Sequence, residues 1–289
     1  MTKICFCGIS GNGMSPLAQI MSLKGCEVYG SGRNFDAGRD GKNRQALLNM
    51  NIKLVPQDGS GITADTETVY VSAALDENNP DIKAARALNI PVKQRSDLLA
   101  EVFHGYPFGI AVGGTSGKTT TTAMIGYIFD MLGQKPCLVN GGMLRNYEQL
   151  KGLPNFIYNE GRFCIIEADE SDGSICKYHP QIALVNNISH DHTSMENLIG
   201  YFQTFADNTK GTLVVNGDCE LTRNLKHDRK TTFSVKDPAA DFFADGIKCL
   251  PDGVEYNFRG QTFHLNLFGA FNVSNALAAI AVCAETGLD

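Results

Sequence analysis

A lysine and a threonine, Lys118 and Thr119, stand directly behind Gly114 and Gly117 in the stretch AVGGTSGKTTTTAM. Glycines at these positions let the backbone turn so that successive N–H groups point inward, and the helix that follows adds partial positive charge at its N-terminus. Lys118 has the reach to meet β- and γ-phosphate oxygens, and the Thr119 hydroxyl can ligate Mg²⁺. The common pattern G-x-x-x-x-G-K-[ST] wants glycine at position 112, which is Val112 here, so the first glycine is displaced. The setting between an apolar strand and a long helix still reads as a nucleoside triphosphate site. It leaves kinases, GTPases and ligases open.

Two further chemical clusters follow strand-like runs. After FCII comes the turn EADESDGS, where Glu167, Asp169, Glu170 and Asp172 crowd together. Carboxylates there suit a hard cation such as Mg²⁺, although acidic turns are also common as solvated surface. After IALV comes NNISHDHTS, with His190, Asp191 and His192. In a parallel sheet, strand ends carrying GKTT, EADESD and HDH converge on one edge, where ligands sit in open α/β folds.

The elements needed to hold these groups are legible as an α/β alternation. KICFC, CEVYG, TVYVSAAL and IPVKQ read as strands, and PDIKAARALN and SDLLAEVF as helices, the latter with Ser96 as its cap. Ser15-Pro16 reads as the N-cap and first residue of an earlier helix that stops at Gly25. HGYPFG, at 104 to 109, is a turn-rich joint and sets a boundary between domains 1–105 and 106–289. FGIAVGG then restarts the alternation, with the helix KTTTTAMIGYIFDML ending at Gly133, followed by strands FCIIEAD, IALVNNI and TLVVNGD. From Thr231 to Phe268 the texture changes to short antiparallel strands turning at Pro-Asp-Gly and Arg-Gly, before a final helix closed by Gly287. Strand–helix alternation implies parallel sheets covered on both faces.

Bulk properties narrow the class. The chain has 289 residues, 43% of them hydrophobic, enough for packed cores, and a formal net charge of −6 that argues against a broad nucleic-acid face. Nine cysteines without a C-x-x-C pair fit a reduced, cytoplasmic protein. Cys5 and Cys7 are expected on opposite faces of their strand. The first apolar run is too short for a signal peptide, and no run approaches the roughly 18 residues that span a bilayer.

Taken together, these stretches resemble the Mur ligase family of ATP-dependent ligases that build the peptidoglycan precursor peptide. GTSGKTTTTAM is similar to the family loop whose first glycine is three residues before the second, which accounts for the displacement. EADESD, the later Asp-His pair and GAFNVSNALAA also match family patterns, and GISGNGMSPLAQIM resembles most closely the branch that adds L-alanine. A neighbouring branch, which attaches a recycled tripeptide to the same UDP-sugar, is similar with a poorer glycine loop.

The resemblance implies a Rossmann-like UDP-sugar domain followed by a central P-loop ATPase domain with a small antiparallel β addition. It implies ATP and Mg²⁺ as cofactors, and UDP-N-acetylmuramate with an amino acid or peptide as partners. ATP contacts fall on Gly114, Thr115, Ser116, Gly117, Lys118, Thr119, Thr120, Asn272 and Asn275; magnesium on Thr119, Glu167 and His192; catalysis on Lys118, Glu167 and His192. Asn272 and Asn275 have amides suited to an adenine edge, and equally to capping the final helix. UDP-sugar contacts fall on Gly8, Ser10, Gly11, Asn12, Gly13, Met14, Ser15, Ser31 and Ser72. The rivals at that loop are a dinucleotide and a purely structural turn, but the spacing G-x-x-G-x-G and the lack of an acid before Asp36 depart from the dinucleotide fingerprint.

This chain also departs from the family. Ser116 replaces a usual histidine or asparagine, Gly32 stands where an acid is usual, and no lysine lies around Phe202 and Gln203. The last departure fits the alanine-adding branch. The sequence stops at Asp289, before the family's third, amino-acid-binding domain, so the expectation is a fragment that binds without making amide bonds.

Overall fold

The computed structural model describes residues 1–148, 151–189 and 194–288. Two compact units emerge: Met1–Val102 with Leu138–Tyr158, and Phe103–Cys137 with Asn159–Asp289. In the first, β1 (Lys3–Cys7), α1 (Ser15–Leu23), β2 (Glu27–Ser31), α2 (Arg33–Asp36), α3 (Gly41–Asn49) and β3 (Lys53–Val55) lead to β4 (Thr68–Val71), α4 (Pro80–Ala87) and β5 (Val92–Gln94). The strands form one parallel sheet in the order β3-β2-β1-β4-β5. The chain leaves β1 in one direction and returns on its other side at β4, so the glycine loop after β1 sits at the point where strand order reverses.

Local details differ from the sequence expectations for identifiable reasons. Met14, not Ser15, occupies the N-cap of α1, with no side-chain cap; Pro16 does sit in its first turn. The Ser15 hydroxyl is taken up elsewhere, accepting from Asn155 Nδ2 at 2.9 Å. Ser96 lies inside the first turn of α5 (Arg95–His104), and the Asp97 carboxylate closes that end by accepting from Gln94 N at 2.9 Å. Cys5 and Cys7 share one face, both packed with Ile62, Val69, Val71 and Ile82. Residues two apart on a strand point the same way, which corrects the opposite-face expectation.

The second unit begins with β6 (Phe108–Gly113) and α6 (Lys118–Met131). Next in the chain are β7 (Cys137–Val139) and β8 (Phe156–Ile157), an antiparallel pair whose segment 138–158 belongs to the first unit. There the buried Gln19 donates to Asn155 Oδ1 at 3.2 Å and accepts from Leu153 N at 2.6 Å. The second unit resumes with β9 (Phe163–Glu167), β10 (Ile182–Val185), α7 (Met195–Asp207), β11 (Thr212–Asn216), α8 (Glu220–Arg223) and β12 (Lys230–Ser234). It ends with β13 (Phe242–Leu250), β14 (Gly253–Phe258), β15 (Gln261–Leu265) and α9 (Phe271–Glu285).

Its sheet runs β15-β14-β13-β12-β11-β10-β6-β9. Neighbours from β9 through β13 are parallel, and β13-β14-β15 are antiparallel. The antiparallel addition therefore starts at Phe242 rather than Thr231. The turns fall at Pro251-Asp252 and at Arg259-Gly260, the latter pair both with positive φ, as a tight hairpin requires. Among the described residues no helix is long and apolar enough to cross a membrane.

All nine cysteines are free thiols, with Cys249 exposed and Cys5, Cys7, Cys137, Cys164 and Cys283 buried. A hydrogen bond to Cys5, then burial, pushes the Cys7 thiol up, and burial pushes Cys283 up to about 12. A maleimide at neutral pH is therefore expected to label Cys249 first and the buried five only on unfolding. Mass spectrometry showing native Cys5 or Cys7 labelled as fast as Cys249 would contradict this packing.

Candidate nucleotide-binding site

β6 is flanked by β10 and β9, with Gly113 opposite Val185 and Val112 opposite Glu167. This register places the ends of all three strands side by side beneath the N-terminus of α6. The loop between β6 and α6 needs its glycines. Gly114 has φ +134, and a Cβ there would lie 3.0 Å from Asn186 Cβ; Gly117 has φ +81, and a Cβ would lie 2.7 Å from Asn275 Oδ1. Gly117 is the left-handed N-cap of α6 and offers no side-chain cap. The first-turn amides are thus available to an anion.

Lys118 and Thr119 open α6 and meet the acid-rich turn after β9. Lys118 Nζ donates to Gly114 O at 2.6 Å and to Glu170 Oε2 and Oε1 at 2.8 and 3.0 Å. The Glu170 side chain is only 2% exposed, and burial holds its carboxyl above the ordinary glutamate range while Lys118 pulls the other way. Thr119 Oγ1 donates to Glu167 Oε1 at 2.9 Å. The four acids therefore divide. Glu167 and Glu170 face the loop, whereas Asp169 accepts from Ser171 and Asp172 from Ser174 within their own turn.

Sequence reasoning missed Asn187. Its Oδ1 accepts from Thr115 Oγ1 at 2.8 Å and Ser116 N at 2.9 Å, and its Nδ2 donates to Ser116 O at 3.0 Å. Its backbone oxygen accepts from Thr115 N at 3.1 Å. The side chain brackets the phosphate loop from the end of β10. The signal was present as NN at a strand end, but only pairing of β10 with β6 shows what the second asparagine meets.

Beside the loop lies a cleft of about 380 Å³, lined by Ser116, Gly117, Thr120, Asn187, Phe271 and Asn275 among others. Phe271, at the start of α9, is 70% exposed and was not singled out from the sequence. Asn272 Nδ2 donates to Phe268 O at 2.9 Å, and Asn275 Nδ2 donates to Asn272 Oδ1 at 3.0 Å. Asn272 thus serves the helix start, and Asn275 is the one of the two that lines the cleft.

The glycine loop of the first unit is partly spent on its own structure. Gly8 N and Ile9 N donate to Ser31 O, and Gly11 N donates to Gly8 O. The amides of Ser10, Asn12 and Gly13 take no part in these bonds. Met14, Ser15 and Ser31 are buried, and the Ser31 hydroxyl donates to Asp81 Oδ2 at 2.5 Å. Ser72 is half-buried, its Cβ 3.7 Å from where a Gly8 side chain would begin. Arg95 was overlooked: its side chain crosses Gly13, within 3.0 Å of an added Cβ, and brings a cation to the loop. Gly32 borders the same loop, 3.4 Å from Ser10 Oγ by the same measure.

His192 lies outside the described residues, as do His190 and Asp191. Among the described residues no three His, Cys, Asp or Glu side chains gather as metal ligands. A hydroxyl and a carboxylate side by side, Thr119 with Glu167, nonetheless fit Mg²⁺, which takes one or two protein oxygens and completes its shell with phosphate and water.

A phosphate loop at the reversal point of a parallel sheet, with an acid-rich strand end beside it, defines the P-loop class of α/β fold. The description "Mur ligase middle domain" matches residues 112–283, and "Mur ligase family, catalytic domain" matches residues 3–107. The chain belongs to the Mur ligase family. A UDP-N-acetylmuramate–L-alanine ligase of Thermosynechococcus vestitus is 35% identical over 98% of this chain, and one of a Cyanothece species is 36% identical over 98%. The crystal structure of the Thermotoga maritima UDP-N-acetylmuramate–alanine ligase superposes with a TM-score of 0.88 at 28% identity, covering all of this chain and 66% of that one. The chain spans 61% of the length of the first of these relatives and 60% of the second.

Proposed function

We propose that this chain is the UDP-sugar- and ATP-binding part of a ligase that joins L-alanine to UDP-N-acetylmuramate. The observation that carries the reading is the meeting of Lys118, the Thr119–Glu167 pair and the Asn275 cleft around one helix N-terminus. The relatives' names supply the substrates.

In this reading residues 106–289 hold ATP. The amides of Gly117, Lys118, Thr119 and Thr120 face the phosphates, while Thr115 and Ser116 are held by Asn187 at the rim of the site and Gly114 lets the loop turn. Lys118 offsets the phosphate charge, and the exposed ring of Phe271 offers a face to the base next to Asn275. Asn272 orients Asn275. Thr119, Glu167 and His192 hold Mg²⁺, which when bound neutralises phosphate charge and draws the attacking carboxylate in. Residues 1–105 hold the UDP-sugar, with the diphosphate on the amides of Ser10, Asn12 and Gly13 and the Arg95 cation, flanked by Gly8, Gly11 and Ser72. The sugar's carboxylate oxygen attacks the γ-phosphorus of ATP and ADP leaves, giving an acyl phosphate; the amine then attacks its carbonyl carbon and inorganic phosphate leaves. Both reactants of that first step are anions, so positioning and charge neutralisation dominate.

Calorimetry of the chain against UDP-N-acetylmuramate and against ATP with Mg²⁺ tests this. Two saturable, separately titrating sites are expected. Absence of both, or ATP consumption that phosphorylates a small molecule with no amine requirement, would overturn it.

A further inference from the structure

We infer that Glu170 is a positioning and selectivity residue that neutralises Lys118 in the nucleotide-free loop, so that triphosphate is admitted chiefly as its magnesium complex. The inference rests on the proposed nucleotide site and assigns a task to a carboxylate that phosphate binding and metal ligation leave unused. An ammonium has three N–H groups. Those of Lys118 are directed at Gly114 O and at both oxygens of Glu170, so the loop's cation is fully engaged before any ligand arrives. Glu170 is buried, at 2% exposure, so solvent does little to screen the pair.

A metal-free triphosphate brings negative charge toward a loop whose one lysine is already balanced, with Glu167 standing next to it at Thr119. Taking Lys118 from Glu170 would leave a buried carboxylate without its counter-charge. A magnesium complex carries two fewer negative charges and offers its cation to Glu167 and Thr119. The Lys118 donor now on Gly114 O can then turn to phosphate while the other two stay on Glu170. Metal and nucleotide are thereby coupled through one side chain.

The test measures ATP affinity of the whole chain in excess EDTA and in excess MgCl₂, for the parent and for Glu170→Gln. The parent is expected to bind far more tightly with magnesium. Glu170→Gln keeps the shape and removes the charge, so metal-free ATP should bind roughly tenfold tighter and the magnesium-to-EDTA affinity ratio should fall by about that factor. Glu170→Asp keeps the charge at shorter reach and should retain most of the ratio; a thermal melt checks folding, and if the Gln variant does not fold, Glu170→Asn, which also removes the charge, is expected to give the same fall. An unchanged or larger ratio in a folded variant that has lost the Glu170 charge overturns the inference while the nucleotide site stands. No saturable ATP binding by the parent in either buffer overturns the site, and the inference with it.

Discussion

Lys118→Ala is expected to weaken ATP binding in the presence of Mg²⁺ by about a hundredfold, as charged hydrogen bonds of this kind are worth a few kcal/mol. Uridine nucleotide affinity should not move, because in the proposed reading the two nucleotides are held by different units of the chain. The substitution also removes the partner of a carboxylate that is 2% exposed, and breaking a buried pair costs about 3 kcal/mol. The two effects separate by pH. Without the lysine, burial and the nearby Asp169 are opposed only by a backbone hydrogen bond, and the pKa of Glu170 rises further above the usual glutamate value of 4.5. The folded variant then binds a proton that the unfolded chain gives up, so its stability falls as pH rises from the unfolded pKa to the folded one. The deficit relative to the parent should therefore be full at neutral pH and shrink as pH is lowered toward the glutamate range. Adding Glu170→Gln to Lys118→Ala should restore most of the stability while leaving the affinity for ATP with Mg²⁺ well below that of the parent. Denaturant melts at two pH values with calorimetry on both variants decide it. A deficit independent of pH would mean that Glu170 is not the charge left behind.

Why Lys118 and Thr119 were legible in the sequence and Asn187 and the task of Glu170 were not is a matter of range. A phosphate loop is built from consecutive residues, and its strand and helix are written on either side of it. The reach of Lys118 to Glu170 spans 52 positions and depends on β9 lying beside β6. From the sequence Glu170 was one acid of four; Asp169 and Asp172 accept within their own turn, Glu167 meets Thr119, and burial left Glu170 to the lysine. The same holds in the first unit. Ser15 carries a hydroxyl in the right place for a cap, but Asn155, 140 positions on, takes it as an acceptor. Thr231 opens a run of β-prone residues that looks like the start of the hairpins, yet β12 pairs parallel with β11, and strand direction is not written in composition. Architecture came through because alternation and glycine punctuation are local; partner choice did not, because it is set by register.

Asn187→Ala is expected to lower ATP affinity nearly as much as loss of Lys118, through order rather than charge. The side chain holds Thr115 Oγ1, Ser116 N and Ser116 O, and each such bond contributes about 1 kcal/mol. Released, the loop must be ordered by the nucleotide itself, and that cost is subtracted from binding, up to about a hundredfold in affinity. Asn187→Asp keeps an acceptor for Ser116 N, loses the donor to Ser116 O and sets a negative charge beside the phosphates. It should bind more weakly still, with the loss growing at low salt, where repulsion is least screened. Hydrogen exchange supplies an internal control. Ser116 N bonds to the side chain of Asn187, whereas Thr115 N bonds to its backbone oxygen. In the alanine variant protection at Ser116 should drop while Thr115 keeps its own, and the global melt should shift little because Asn187 is only half-buried. Equal loss at both amides would mean that the end of β10 has come away from β6, and that the weakened binding reports a broken sheet edge instead of an unbracketed loop.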